Sequence, residues 1–184
     1  MNNIELLKKE IIRLIEGSEV PEDPVHAQNT LEWLLKLKPD ADEALQIAAL
    51  GHDIERAMDD RKVRSHEYDD FKDFKTAHAE NSALILKEIM EDFEIEKDLI
   101  EEVYQLVCHH ETGGDPRSDL IRDSDGLSFF EVNLPLYFER EGLEKALERC
   151  RWGYNRLTPK VKPMLRELGH DNDEITKLVK SVSK

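Results

Sequence analysis

The histidines of this sequence are its most informative residues, because most of them lie on segments that are otherwise mainly apolar. Taking an imidazole or a carboxylate out of water costs free energy unless a partner offsets the loss, and a metal ion is one such partner. In the run EALQIAALGHDIER, residues 43–56, a small apolar stretch leads directly into His52 and Asp53. One of Asp123 or Asp125 would complete a set of candidate ligands whose other members are His26, His52, Asp53, His78, His109 and His110.

The types of these ligands restrict the metal that they could bind. Imidazole nitrogen and carboxylate oxygen suit borderline divalent ions such as Fe, Mn, Zn, Co or Ni better than calcium. Neighbouring residues of a helix point about 100° apart, so His52 and Asp53 can face two adjacent sites and Asp53 can bridge two ions. His109 and His110 can approach one ion only if the helix end loosens there, which the following Gly113-Gly114 permits. We therefore predict a centre of two divalent metal ions.

An isolated histidine or a single His-Asp pair is weak evidence for a metal, because such residues are more often hydrogen-bonded parts of the fold. The sequence contains its own control in His170-Asp171, which precedes Asn172 and is interpreted as the start of a helix. Five buried histidines without a metal would each need a separate partner. The complete ordered set therefore favours metal binding.

Composition and charge limit the classes of partner. The 184 residues carry a formal net charge of −15, which argues against a nucleic-acid duplex as partner. No stretch approaches the roughly 20 apolar residues of a membrane span, so no membrane partner is predicted. Two cysteines, Cys108 and Cys150, form no framework of pairs, and residues 1–15 lack the unbroken apolar core of a signal peptide. Both features favour a reducing, cytoplasmic location.

The elements that must position the candidate ligands are predicted to be helices throughout. Apolar residues recur at helical spacing from residue 3 onward, no alternating strand pattern occurs, and we find no repeat or linker. Predicted helices cover about 3–16, a segment from Pro24 to the break at Pro39, a central helix that Asp40 can cap, and then 71–90, 95–110 and 119–132.

The rest of the chain follows the same pattern. Three further helical pieces are split by Pro135, Gly142, Pro159 and Gly169, and residues 58–70 are predicted to form a loop over the mouth of the helical assembly. The sequence thus predicts one all-α domain.

The ordered ligands resemble the pattern of the HD-domain metal-dependent phosphohydrolase superfamily, over about residues 20–131. AALGHDIER looks like the signature helix of that superfamily, HAENSALILKEI like its third ligand helix, and RDSDGLSFFE like its closing aspartate helix. The order Ser-Asp-Gly-Leu matches the closing motif at Asp125, which leaves Asp123 behind the ligands. The resemblance implies a first metal on His26, His52, Asp53 and Asp125, and a second on His78, His109 and His110, with Asp53 bridging.

The same resemblance implies a helical bundle of the HD-domain type over residues 1–184, with the ligand core at about 20–131 and a helical C-terminal extension at 132–184. HHETGG is also similar to the HD-GYP subgroup of cyclic-dinucleotide phosphodiesterases. The GYP tripeptide is absent, however, and Asp115-Pro116 stands near its place. Cyclic dinucleotides are therefore disfavoured as substrates.

Members of the superfamily cleave phosphate esters, so the resemblance implies a phosphohydrolase acting on a nucleotide or a small phosphorylated metabolite. Two cations about 3.5–4 Å apart can share a water, and the bridging hydroxide can attack phosphorus in line. Asp53 and Arg56 would be the catalytic residues. Arg56 lies three residues after Asp53 and matches the basic position of an HD-I-G-K form, with Glu55 replacing the glycine. Alternatively, Arg56 forms a surface ion pair with Asp59 or Asp60.

A second source of positive charge lies at residues 149–166, which contain six basic residues and no acidic one. Trp152 and Tyr154 are interleaved with them, and a ring beside guanidinium groups suits a nucleotide or another anionic substrate. The predicted substrate-binding residues are Arg56, Arg149, Arg151 and Arg156. The alternative is that this helix docks on the acidic remainder of the chain. The loop cations Arg61, Lys62 and Arg64 could similarly reach across the mouth.

Two other functions use the same ligands. Mixed-valent di-iron oxygenases that resemble myo-inositol oxygenase also use HD residues, but they typically present six protein ligands, one fewer than the set that includes both His109 and His110. A sensor that binds a metal and a nucleotide without turnover is the other alternative. The metal's identity, the ester type and the oligomeric state stay open at this level.

Overall fold

The computed structural model describes residues 2–183, and this part of the chain contains helices and no strand. The predicted all-α class is therefore confirmed. In chain order the helices are α1 (Asn3–Ile15), α2 (Asp23–Leu37), α3 (Glu43–Gly51), α4 (Phe71–Asp92), α5 (Lys97–Cys108), α6 (Pro116–Ser128), α7 (Leu134–Glu141), α8 (Leu143–Arg156) and α9 (Asp173–Val182).

Side-chain caps explain where several helices begin. The free backbone N–H groups of a first turn need acceptors, and an Asp or Asn at the N-cap supplies one at a gain of about 1 kcal/mol. Asp42 accepts from the Leu45 amide at 3.1 Å and starts α3, whereas Asp115 accepts from the amides of Arg117 and Ser118 and starts α6. The prediction that Asp40 caps the central helix is wrong. Asp40 is exposed and pairs with Lys38 at 2.8 Å instead.

The central helix α3 is buried on most of its circumference, as its apolar sequence requires. It packs against α1, α2, α5 and α6, and seven of its nine residues are buried. Leu45, Ile47 and Leu50 are among the fully buried side chains of the core. Because α3 has neighbours on nearly every side, its C-terminal end delivers His52 into the interior of the protein.

Two clusters of buried apolar side chains meet along α2 and α6. The first is built mainly from α1–α5, and the second from α6 to α9. Helix α2 contributes Leu34 to the first cluster and Trp33 to the second, while α6 contributes Ile121 to the first and Leu127 to the second. The two helices that carry His26 and Asp125 therefore lie at the junction of both clusters, which fixes their relative position.

The region after α6 differs in detail from the expected helix 119–132. Helix α6 begins at Pro116, directly after its Asp115 cap, and continues through a π-helical turn at Phe129–Asn133 into α7. Pro135 lies in the first turn of α7, directly after the π-helical turn, and does not separate two helical pieces as the sequence predicts.

Residues 58–70 form the predicted irregular connection, interrupted by one short 3₁₀ turn at Ser65–Glu67. The cations of this loop form ion pairs with carboxylates of the loop and of α4. Arg61 binds Glu88 at 2.6 Å, and Lys62 and Arg64 lie 2.5 and 3.8 Å from Asp59. The structure does not place them across the mouth of the central cavity. Among residues 2–183, no helix combines the length and the apolar character needed to cross a membrane.

Candidate metal centre

Two groups of three potential metal ligands lie side by side where α2, α3, α4, α5 and α6 meet. The first group consists of His26, His52 and Asp125, and the second of Asp53, His78 and His110. Within each group the ligand atoms all lie within 4.8 Å of one another. Six of the seven predicted ligands are thus brought together.

Asp53 lies between the two groups. Its Oδ1 is 2.8 Å from Nε2 of His78 and 3.7 Å from Nε2 of both His52 and His110, while its Oδ2 is 4.0 Å from Nε2 of His26. Asp53 follows the helical residue His52 but has left the helical conformation, at φ −107° and ψ 17°. That turn directs its carboxylate toward the imidazoles of both groups.

The four imidazoles are oriented by hydrogen bonds at their outer nitrogens. Nδ1 of His52 lies 2.9 Å from the Ala49 carbonyl, and Nδ1 of His110 lies 2.7 Å from the Val107 carbonyl. A carbonyl oxygen only accepts, so both Nδ1 atoms carry a proton, and in the neutral form of each ring Nε2 presents a lone pair to the interior. Such outer contacts orient the histidine ligands of a metal in the same way.

The other two rings have the same arrangement with side-chain partners. Nδ1 of His26 is 2.9 Å from the Ser128 hydroxyl, which itself donates to the His26 carbonyl. Nδ1 of His78 donates to the carboxylate of Glu55 at 2.7 Å. Glu55 is buried and was assigned no role from the sequence, where it was noted only as the residue that replaces a glycine. In the sequence, Glu55 is marked only by its position two residues after the His-Asp pair.

These orientations leave inward-facing acceptors that a cation would satisfy. The Nε2 atoms of His26 and His52 lie only 3.3 Å apart, so their lone pairs repel unless a proton or a cation lies between them. Nε2 of His110 is buried and has no hydrogen-bond partner. Burial alone would lower the pKa of His52, but the charges of Asp53 and Asp125 raise it to about 9. Two carboxylates and four imidazoles fit divalent ions of the Fe, Mn, Zn, Co or Ni type.

His109 is the predicted ligand that the structure does not bring to the centre. It is exposed, its backbone N–H still bonds to the Gln105 carbonyl as in a helix, and its Nδ1 contacts the same carbonyl at 2.8 Å. Helix α5 ends at Cys108, and His109 keeps this helical hydrogen bond although its backbone, at φ −103° and ψ 6°, has left the helical conformation. Only His110 has its side chain among the ligand groups.

The choice between the two aspartates of α6 agrees with the geometry. Asp125 lies 3.3 Å from Nε2 of His26 and 3.7 Å from Nε2 of His52. Asp123 instead accepts hydrogen bonds from the backbone N–H and the hydroxyl of Thr158, at 2.8 and 2.5 Å. Asp123 anchors the turn after α8 and is absent from both groups.

A small cavity above the centre is lined by four cationic side chains, namely Arg56, Lys75, Arg149 and Arg156, together with Asp53, Asp125 and Glu111. Arg56 lies 2.8 Å from Asp23 and 3.5 Å from Asp53. The alternative in which Arg56 pairs with Asp59 or Asp60 does not occur. Four of the 26 Lys and Arg residues of this acidic chain therefore line one small cavity beside the two ligand groups.

Glu111 is a second buried acid to which the sequence analysis gave no role. It pairs with Lys75, lies 2.7 Å from Arg156 and is 3.4 Å from Nε2 of His110. Burial would raise the pKa of Glu111, but Lys75 and Arg156 hold it well below its ordinary value. In the sequence, Glu111 is marked only by its position directly after His109 and His110. Glu111 therefore links two of the four cationic side chains of the cavity to His110 of the second ligand group.

The three arginines predicted on α8 have different surroundings. Arg156 lies 3.0 Å from Asp125, so part of the basic helix does dock on acidic groups. Arg149 packs on the Trp152 ring at 4.5 Å and has no carboxylate within ion-pair distance among the described residues. Arg151 is exposed and lines a different cavity, with Tyr154 and Asn155. The structure therefore separates Arg151 from the site.

Metal loading is expected to stabilise the protein. Binding to the folded state at about 100 times Kd contributes about 2.7 kcal/mol, which for a chain of this length raises Tm by about 5–10 °C. We expect two equivalents of Mn²⁺ to bind to EDTA-treated protein and to raise its Tm by this amount, as measured by elemental analysis and thermal melting. The double variant His52→Ala/Asp53→Ala is the control. Equal metal content in wild type and variant would contradict the assignment.

Comparison with known proteins gives one family and no relative. The family model described as "Domain of unknown function (DUF4202)" matches residues 8–179, a span that includes both ligand groups and the cationic residues. The searches of curated proteins and of solved structures give no match to the chain.

Proposed function

The chain belongs to the DUF4202 family, and we propose from its site that it is a metal-dependent phosphohydrolase of a nucleotide or a small phosphorylated metabolite. The observation that carries the proposal is the combination of six converging ligands with four cationic side chains at the same cavity. In a chain with a net charge of −15, such a concentration of cations is most useful where an anion must bind. A phosphoryl group is the anion that two-metal centres of this ligand type hydrolyse.

Bound divalent cations would supply a water of near-neutral pKa and positive charge next to the phosphoryl oxygens. The residues of the chain have separate tasks around them. Asp53 holds both ligand groups together, and its pKa is kept well below the ordinary value by His52, His78 and Arg56 despite burial, so it stays an anion. Arg56 is fixed by Asp23 beside that carboxylate and can donate to a phosphoryl oxygen as its negative charge grows.

Arg149 is suited to bind the substrate's phosphate in the ground state. Burial lowers its pKa although Glu111 is near, so its charge is held at a cost that an incoming anion would reduce. The other three cations of the cavity already face carboxylates. Arg149 can therefore pair with a phosphate without breaking an internal ion pair.

A mixed-valent di-iron oxygenase is the second candidate, because the observed ligands number six and His109 is not among them. The predicted seventh ligand, which would have distinguished the chain from these six-ligand oxygenases, is therefore absent from the two groups. What favours hydrolysis instead is the set of four cationic side chains that line the cavity beside the ligand groups. The iron-loaded protein in air separates the two functions, since an oxygenase consumes dioxygen in the presence of substrate and a phosphohydrolase releases phosphate without it.

The direct test is hydrolysis by the purified, metal-loaded protein. With Mn²⁺, Fe²⁺ or Co²⁺ we expect release of inorganic phosphate from a monoester or of the alcohol from a generic diester such as bis(p-nitrophenyl) phosphate. His52→Ala/Asp53→Ala should show no turnover. Stoichiometric nucleotide binding without turnover for any of these metals would instead indicate a sensor and refute the proposal.

A further inference from the structure

A second cleft opens directly beside the metal cavity. It has a volume of about 340 Å³, within the range of about 300–1,000 Å³ typical of small-molecule sites. Four residues line both cavities, namely Lys75, Glu111, Trp152 and Arg156. A molecule whose phosphate lies at the metals can therefore extend into this cleft.

Two aromatic rings and two arginine guanidinium groups lie together at the wall of the cleft. Phe71, the first residue of α4, packs edge-on against Trp152 of α8 with 5.6 Å between ring centroids and 78° between the planes. The guanidinium carbons of Arg149 and Arg156 both lie 4.5 Å from the centre of the Trp152 ring. Phe71 is 45% exposed, which for a large apolar side chain is a cost unless a ligand covers it.

The charges at the junction of the two cavities determine which kind of ligand fits. Arg149 and Arg156 lie on the side toward the ligand groups, whereas the cleft itself adds the hydroxyls of Thr76 and Thr112 and one residue of each charge, Asp70 and Lys72. A ligand that matches this pattern is anionic at one end and carries a flat ring with polar edges at the other. Rings of this kind stack well on aromatic side chains and on arginine planes.

We infer that the Phe71–Trp152 cleft is the subsite for a planar aromatic ring of the substrate and that it selects ring-bearing phosphate esters over aliphatic ones. The inference rests on the proposed function for its placement of the phosphate at the metals. An aliphatic ester would leave the exposed Phe71 ring uncovered and would gain no stacking on the half-buried Trp152 ring. A ring would cover them while the phosphate meets Arg149.

The inference is tested by binding to EDTA-treated protein, in which hydrolysis is absent, with isothermal titration calorimetry. The probes are adenosine 5′-monophosphate, p-nitrophenyl phosphate and ribose 5-phosphate, of which only the last lacks an aromatic ring. We expect at least one ring-bearing probe to bind about tenfold more tightly than ribose 5-phosphate. Phe71→Ala, whose side chain lines the cleft but not the metal cavity, should remove that advantage and leave the affinity for ribose 5-phosphate unchanged. Trp152→Leu should also remove the advantage.

Leu84→Ala provides a matched control, because Leu84 is on the same helix as Phe71, is 46% exposed and does not line the cleft. It should change no affinity, and Phe71→Ala, at an exposed position, should melt at the wild-type temperature. Equal affinity for all three probes, no binding of any of them, or ring selectivity that survives Phe71→Ala would overturn the inference.

The inference and the proposed function can fail separately. Ring-dependent binding without phosphate release by the Mn²⁺-loaded protein would support the cleft and refute hydrolysis. Equal kcat/KM for ribose 5-phosphate and the ring-bearing esters would support hydrolysis and refute the cleft.

Discussion

Asp53→Asn is expected to abolish hydrolysis and to reduce the bound metal from two ions per chain to one or none. The substitution keeps the size of the side chain but removes the negative charge that faces four imidazoles at 2.8–4.0 Å. Removing an outer-shell partner of a metal ligand already costs about 10–100-fold in affinity or activity, and loss of a shared ligand should cost more. Metal content by elemental analysis and phosphate release by the Mn²⁺-loaded variant measure both effects.

The pair His109→Ala and His110→Ala supplies the control at two consecutive residues. His110 has its Nε2 buried in the second ligand group, whereas His109 is exposed and bonded to the Gln105 carbonyl. We expect His110→Ala to lose the second ion and its activity, and His109→Ala to keep two ions and wild-type kcat. Loss of an ion in His109→Ala would mean that the helix end unwinds when metal binds.

The helical fold could be predicted from the sequence because apolar periodicity reports which face of each segment is buried. The ends of helices were less accessible to such reasoning. Asp40 and Asp42 are both acceptable caps by type, and only the position of Leu45 in the core makes Asp42 the one that meets its amide. His109 and His110 are identical by type, and the number of residues in the last turn of α5 decides which of them points inward.

Most of the candidate site could be predicted because ligands are few in kind and lie on helices that α3 holds together. Its supporting charges could not be predicted in the same way. Arg56 is near Asp59 and Asp60 in sequence, yet the packing of α2 against α3 brings it to Asp23. Glu111 gains its two cations from α4 and α8, which are separated from it by 36 and 45 residues. Pairings at such separations follow from the tertiary fold and not from local pattern.

Arg156→Met is expected to destabilise the metal-free protein by about 3 kcal/mol, near the lower end of the range for removing one partner of a buried ion pair. Arg156 lies between Asp125, at 3.0 Å, and Glu111, at 2.7 Å, with only 12% of its side chain exposed, so the variant leaves both carboxylates without this guanidinium. Lys75 still faces Glu111 and His26 still faces Asp125, which keeps the loss at that lower end. Thermal melting should show a decrease in Tm of about 6–12 °C.

Arg149→Met distinguishes this loss from a general effect of removing an arginine from α8. Both arginines lie 4.5 Å from the Trp152 ring, but Arg149 has no ion pair among the described residues, so its replacement leaves no carboxylate unpaired. We expect its Tm to stay within about 2 °C of wild type, since Met can still pack on the Trp152 ring and no carboxylate loses a partner. Mn²⁺ should reverse much of the loss in Arg156→Met, because a cation at the first ligand group would replace the missing charge beside Asp125. If both variants have the same Tm, or if Mn²⁺ stabilises Arg156→Met no more than wild type, then the negative charge of Asp125 does not depend on Arg156 for a partner.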